Sequence, residues 1–300
     1  VVCSMEYQEL NIEPTGMESF KITMKGLRGG HSGLEINEGR ANANKLMARL
    51  LFAAVNTELA RVCSWHGGNM RNAIPREEEV VVISPSAKVA ALKELVEKCK
   101  QLFNEEYMEI EHGNIELNIE PCDMPEKVIP EDVQVNIINA IMAAHDGVLR
   151  YIPTIPHIVE TSSNLAIIDI ADGEAEIDIL ARSSQDSMKI WLCNSLCAAF
   201  SMAGMKVEFE GGYSGWQPNT KSPLVAEMSE VYEKMYGQKP KVEVCHAGLE
   251  CGIIGVNYPD MDMASIGPTL RSPHTPDERC HIPSVGRFYN YVVEILKNLK

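Results

Sequence analysis

Residues 17–55 read MESFKITMKGLRGGHSGLEINEGRANANKLMARLLFAAV, and this stretch decides how the chain is built. Over 17–26 apolar and polar residues alternate, the period of a strand with one buried face. The glycine-rich segment 28–33 is a turn. From about 41 to 55 apolar residues recur at three- and four-residue spacing, as an amphipathic helix requires. Strand, turn and helix continue outward. A strand is predicted near 60–65, leading into Gly67-Gly68-Asn69, and Pro75 enforces extended backbone before it. A strand at 79–84, a charged helix at 87–107 and a strand at 112–119 complete an α+β sandwich with one sheet face covered.

The pattern repeats weakly. A helix at about 131–144 precedes strands near 156–161, 163–170 and 174–182, with Asp172-Gly173 as a hairpin signal. A helix over 185–203 ends at Gly204, and a strand follows at 205–210. Two sandwich units related by duplication are the expectation, although the halves share no sequence identity. Beyond Gly212 the texture changes. Ser222 caps a helix reaching residue 236, with Pro223 in its first turn. A strand at 241–245, a helix near 248–255, a strand at 262–266, a loop over 267–282 and a helix from Pro283 follow. That alternation reads as the edge of a mostly parallel α/β sheet whose central strands are not in the sequence.

Bulk properties exclude several functions. Lys and Arg number 27 against 42 Asp and Glu, a formal charge of −15, which argues against a nucleic-acid surface. No apolar run approaches the roughly 20 residues of a membrane span, and no leader indicates secretion. The nine cysteines are odd in number and scattered, as buried thiols of a reducing cytoplasm would be. Val1 is no start and Met5 is not a convincing one, so the chain is expected to begin mid-protein.

Four loops gather polar groups that packing does not demand. RGGHSG (28–33) sets His31 among glycines, where an imidazole can donate to an oxyanion, or equally cap the turn. GGNMRNAIP (67–75) places Asn72 before a proline-fixed extension, either aimed at a ligand or stabilising its own turn. LARSS (180–184) offers Arg182, a planar fork suited to a carboxylate or to a neighbouring acid. SIGPTLRSPHTPDER (265–279) holds His274 between prolines on a stiff loop. Neutral imidazole suits zinc, but zinc needs at least three protein donors.

With VETSSNLAII (159–168), YSGWQPN (213–219) and HAGLECG (246–252), these blocks resemble, in order and spacing, the di-zinc exopeptidase and aminoacylase superfamily. The branch they most resemble is that of aminoacyl-histidine dipeptidases. The resemblance implies hydrolysis of dipeptides, of Xaa-His type, by a zinc-activated water in a cytoplasmic enzyme. It implies three parts: 1–12 as the tail of a missing catalytic segment, 13–210 as an inserted lid, and 211–300 as the carboxyl-terminal part of the catalytic domain. The family's HxD motif, bridging aspartate and Glu-Glu pair have no counterpart here. Of two zinc ions per intact enzyme, the chain is therefore expected to supply at most one ligand, His274. The resemblance assigns His31 to the scissile carbonyl and Asn72 to substrate binding. It assigns Arg182 to the substrate carboxylate and Glu250 to its amine, with Gly267 also against substrate. A homodimer through the lid follows as well, with His31 serving its own subunit or its partner's. Two other classes stay open: a non-catalytic lid and dimerisation module, and a related tripeptidase, deacylase or desuccinylase.

Overall fold

The computed structural model describes residues 1–212, 214–216, 219, 221–243, 250–271 and 278–299. They form two compact units, residues 1–212 and the described residues beyond them.

The first unit contains thirteen strands. They are β1 (Val2–Glu6), β2 (Leu10–Asn11), β3 (Met17–Lys25), β4 (Gly30–His31), β5 (Arg61–Gly67), β6 (Ala73–Ile74) and β7 (Glu78–Pro85). After these come β8 (Glu116–Pro121), β9 (Lys127–Val128), β10 (Gly147–Ile152), β11 (Ile155–Ala171), β12 (Glu174–Ser183) and β13 (Lys206–Glu208). Its helices are α1 (Ala43–Asn56), α2 (Val89–Glu106), the single turn α3 (Met108–Glu111), α4 (Glu131–Ala143) and α5 (Asp186–Met202).

Nine strands make one sheet in the order β13-β1-β12-β11-β5-β7-β3-β8, with β10 added on β11. Phe20, Ile22 and Met24 of β3 are buried, as the alternation at 17–26 predicts. They join Trp65, Val80, Val82, Ile168, Ile170, Ile177 and Ile179 in a core that α1, α2, α4 and α5 cover from one side. Leu46, Leu50 and Leu51 of α1 lie at its centre, each fully buried side chain of this size contributing about 1.5–3 kcal/mol.

The two halves do not stack as separate sandwiches. β5 pairs antiparallel with β11 (Gly67 with Ile168, Trp65 with Ile170), so they share one sheet and one helix layer. Residues 1–12, read as a tail outside the lid, supply β1, which lies between β12 and β13. The strands expected at 156–161 and 163–170 are a single one, β11, carrying a register shift between Leu165 and Ile167.

The second unit contains α6 (Pro223–Tyr236), α7 (Glu250–Asn257), β14 (Leu270–Arg271), β15 (Arg279–Cys280) and α8 (Ile282–Asn298). Ser222 caps α6 by accepting from Val225 N–H at 3.0 Å, and Asp262 accepts from both the Ser222 hydroxyl and Leu224 N–H. Met228, Val231, Tyr291 and Ile295 pack α6 on α8.

The expectation of a mostly parallel sheet edge is corrected here. Every strand pairing among the described residues is antiparallel, and beyond Gly212 only β14 and β15 pair. Residues 262–266 are not a strand, and neither are 241–243 of the predicted 241–245. A parallel strand takes all its hydrogen bonds from neighbouring strands, and none stands beside these segments among the described residues. No helix among the described residues is long and apolar enough to cross a membrane, and their eight cysteines are all free thiols.

Candidate functional site

Two short strands bring the polar loops of the first unit together. β4 and β6 pair antiparallel, Gly30 opposite Ile74 and His31 opposite Ala73. The Ser32 N–H donates to the Asn72 carbonyl at 2.9 Å, so the histidine loop and the asparagine turn are tied backbone to backbone. Gly30 adopts φ +146, and a Cβ on it would overlap the Arg40 guanidinium and crowd the Glu35 carboxylate. Gly68 adopts φ +68, and a Cβ there would overlap the Ala166 carbonyl. Both positions favour glycine by their positive φ, and at Gly68 the close approach of backbone requires it as well.

The His31 ring has a defined orientation. The N–H groups of Gly33 and Leu34 both donate to its Nδ1, each at 3.1 Å. Nδ1 is thus the lone-pair nitrogen of the neutral ring, and the proton sits on Nε2. The His31 backbone is held as well. Its N–H donates to Glu35 Oε2 at 2.7 Å, while Glu35 Oε1 accepts from Arg40 Nη2 at 2.6 Å. Arg40 also donates to the Gly29 carbonyl. Burial opposes ionisation of Glu35, but the hydrogen bonds from His31 N–H and Arg40 outweigh it and hold its carboxyl below the usual range.

Arg182 reaches the same cluster from β12. Its Nη2 lies 3.5 Å from the Ser32 hydroxyl, and Ser32 is only 1 % exposed. The Asn72 turn is fixed on its other side by two groups of the sheet. Asn164 of β11 donates through Nδ2 to the carbonyls of Arg71 (3.2 Å) and Ala73 (2.8 Å). Arg71 Nε donates to Asp178 of β12 at 2.8 Å. Three residues singled out from the sequence, His31, Asn72 and Arg182, thus lie around Ser32.

The other candidates belong to the second unit or lie outside the described residues. Glu250 opens α7 and Gly267 lies in the loop before β14, both exposed and both in the second unit. His274 lies outside the described residues. Among the described residues no three His, Cys, Asp or Glu side chains gather to hold a metal ion. The described part of the chain therefore does not by itself fit a zinc pair. Sequence reasoning gave no role to Ser32, Glu35, Arg40, Asn164 or Asp178. Asn164 had a signal: asparagine is disfavoured in strands, yet it stands in VETSSNLAII beside Leu165.

Residues 22–111 match the family described as a peptidase dimerisation domain. The chain is 38% identical over 286 residues to the cytosol non-specific dipeptidase of Escherichia coli (strain K12), covering 95% of this chain and 59% of that one. The crystal structure of the aminoacylhistidine dipeptidase from Vibrio alginolyticus matches with a TM-score of 0.91 at 36% identity, over 100% of this chain and 61% of that one. The resemblance to dipeptidases carried by the sequence blocks is thereby borne out. The chain spans about three-fifths of the length of both.

Proposed function

We propose that this chain is the substrate-gripping part of a dipeptidase, in which His31, Asn72 and Arg182 hold a dipeptide for hydrolysis. The observation that carries the reading is that Ser32, the chain neighbour of His31, ties through its N–H to the Asn72 carbonyl and through its hydroxyl meets Arg182 of β12. In this reading Arg182 receives the free carboxylate of the substrate. A guanidinium fork suits it better than a point charge would. Asn72 orients the substrate on a turn that the sheet holds rigid. His31, with its proton on Nε2, donates to the carbonyl oxygen as it gains negative charge, and the neutral tautomer is in place before reaction. A carboxylate at a fixed distance from that donor selects dipeptides over longer chains.

The reading extends to Xaa-His substrates, since the Vibrio relative is an aminoacylhistidine dipeptidase. It carries zinc with it, two ions per intact enzyme, with His274 the one ligand assigned to this chain. Glu250 would meet the substrate amine, with Gly267 also against substrate. A cytoplasmic location belongs to the same reading, the E. coli relative being named for the cytosol. Self-association through the first unit is part of it too, since the dimerisation match falls there.

The test is His31→Ala in the intact enzyme, with zinc per chain and kcat measured together. The expected outcome is a kcat lower by about 10²–10³-fold, the effect of removing one oxyanion donor, with zinc content unchanged. Parallel loss of zinc and activity would refute the assigned role.

A further inference from the structure

Asn72 has the only side chain of its turn assigned to substrate, yet its backbone is held by others. Asn164 is 1 % exposed and sits in β11 directly under that turn. Both protons of its amide are used, one on the carbonyl before Asn72 and one on the carbonyl after it. Turning the amide over would set its oxygen against two carbonyl oxygens, so this orientation is fixed by the pair of acceptors it serves. The amide oxygen is buried and has no hydrogen-bond partner among the described residues. That unpaired acceptor is a cost accepted together with the two carbonyls the amide holds. A valine or leucine would remove the cost but release both carbonyls.

We propose that Asn164 is a positioning residue, clamping the Arg71 and Ala73 carbonyls so that the Asn72 side chain is presented to substrate at a fixed height above the sheet. This rests on the reading of Asn72 given above. Arg71 completes the clamp from outside through its ion pair with Asp178, and Ser32 N–H closes it on the Asn72 carbonyl. The Asn72 turn then has no freedom of its own, and the substrate amide meets an oriented group.

Two readouts on the intact enzyme test this. The first is amide hydrogen exchange at Ser32, whose N–H bonds to the Asn72 carbonyl. Asn164→Ala is expected to speed it about tenfold while protection in β3 stays unchanged. Asn164→Ser serves as a second variant with a smaller cavity should the first not fold. The second is a kinetic cycle on dipeptide hydrolysis with Asn72→Ala, Asn164→Ala and the double variant. Asn164→Ala alone is expected to lower kcat/KM by about 10–100-fold, as misplacement of a substrate-orienting group does. The double variant is expected to be no worse than Asn72→Ala.

Unchanged exchange at Ser32 overturns the clamp. Faster exchange with additive kinetics, or with unchanged kcat/KM, leaves the clamp but overturns its role in positioning. If Asn72→Ala is itself as active as the parent, the reading of Asn72 fails instead, and the positioning role falls with it even where exchange responds.

Discussion

The first unit contains two sets of buried polar groups within one fold, and they are built on opposite plans. Around Ser32 the groups are anchored through backbone, and the residues assigned to substrate lie at strand ends and in a turn. Beneath α1 the plan is inward. Asn42 Nδ2 donates to Asp146 at 3.0 Å and to the Leu165 carbonyl, and Leu165 N–H returns a bond to Asp146 at 2.8 Å. Lys45 donates to the carbonyls of Ile141, Met142 and Ala144 at the end of α4. Nearby, Trp65 N–H donates to Glu78. Burial pushes the Asp146 carboxyl up to about 6 and the Glu78 carboxyl up to about 8. The second set has the strongly shifted carboxyls, and the first has the convergence of loops. The proposed site rests on the first set and not on titration, because structural networks also perturb acids.

The comparison breaks most visibly at Asp146. Asp146→Ala strands one proton of the Asn42 amide and the Leu165 N–H, and is expected to lower unfolding free energy by about 3 kcal/mol in denaturant titration. The first unit's site geometry should survive wherever the fold does. A loss of activity with unchanged stability would merge the two sets into one.

Glu78 sharpens the comparison through pH. Its folded value lies above its ordinary one, so the native state holds a proton that the unfolded chain has released. The stability contributed is fully present below about 4.5 and is lost as pH rises through about 8. Asp146, raised likewise, adds a loss between its ordinary value and about 6. Glu78→Gln is therefore expected to flatten the fall in stability between pH 5 and 8, and to stabilise at pH 8 by about 2 kcal/mol. Thermal melts of both proteins across that range check it, and an unaltered pH slope would show that Glu78 is not buried as a neutral acid.

The smallest effect belongs to the hub. Ser32 meets Arg182 through a long contact and ties to Asn72 through its backbone. Ser32→Ala is expected to cost less than about 1 kcal/mol in kcat/KM, because the backbone tie remains. A loss as large as that of His31→Ala would mean that the hydroxyl itself takes part.

Much of the fold was legible in the sequence because its signals are local. The alternation of β3, the periodicity of α1 and the Asp172-Gly173 turn, with φ +52 and +83, each follow from a few adjacent residues. β1 was not legible, since its partners β12 and β13 lie 168 or more residues away and nothing local marks a strand that is central only by pairing. The fusion of the two halves through β5 and β11 was hidden for the same reason. His31, Asn72 and Arg182 were found as residues with suitable chemistry in glycine-rich or strand-end loops. Their convergence on Ser32, and the part taken by Asn164, are properties of strand register that no single loop encodes.

Arg182 gives the most direct test of the central claim, that these loops grip a dipeptide by its carboxylate. The measurement is kcat/KM of the intact enzyme for one dipeptide and for its carboxyl-terminal amide, in the parent and in Arg182→Ala. The account predicts that the parent favours the free carboxylate by about 100-fold or more and that the variant loses this preference, the amide being cleaved no worse than before. The same preference persisting in Arg182→Ala would contradict it.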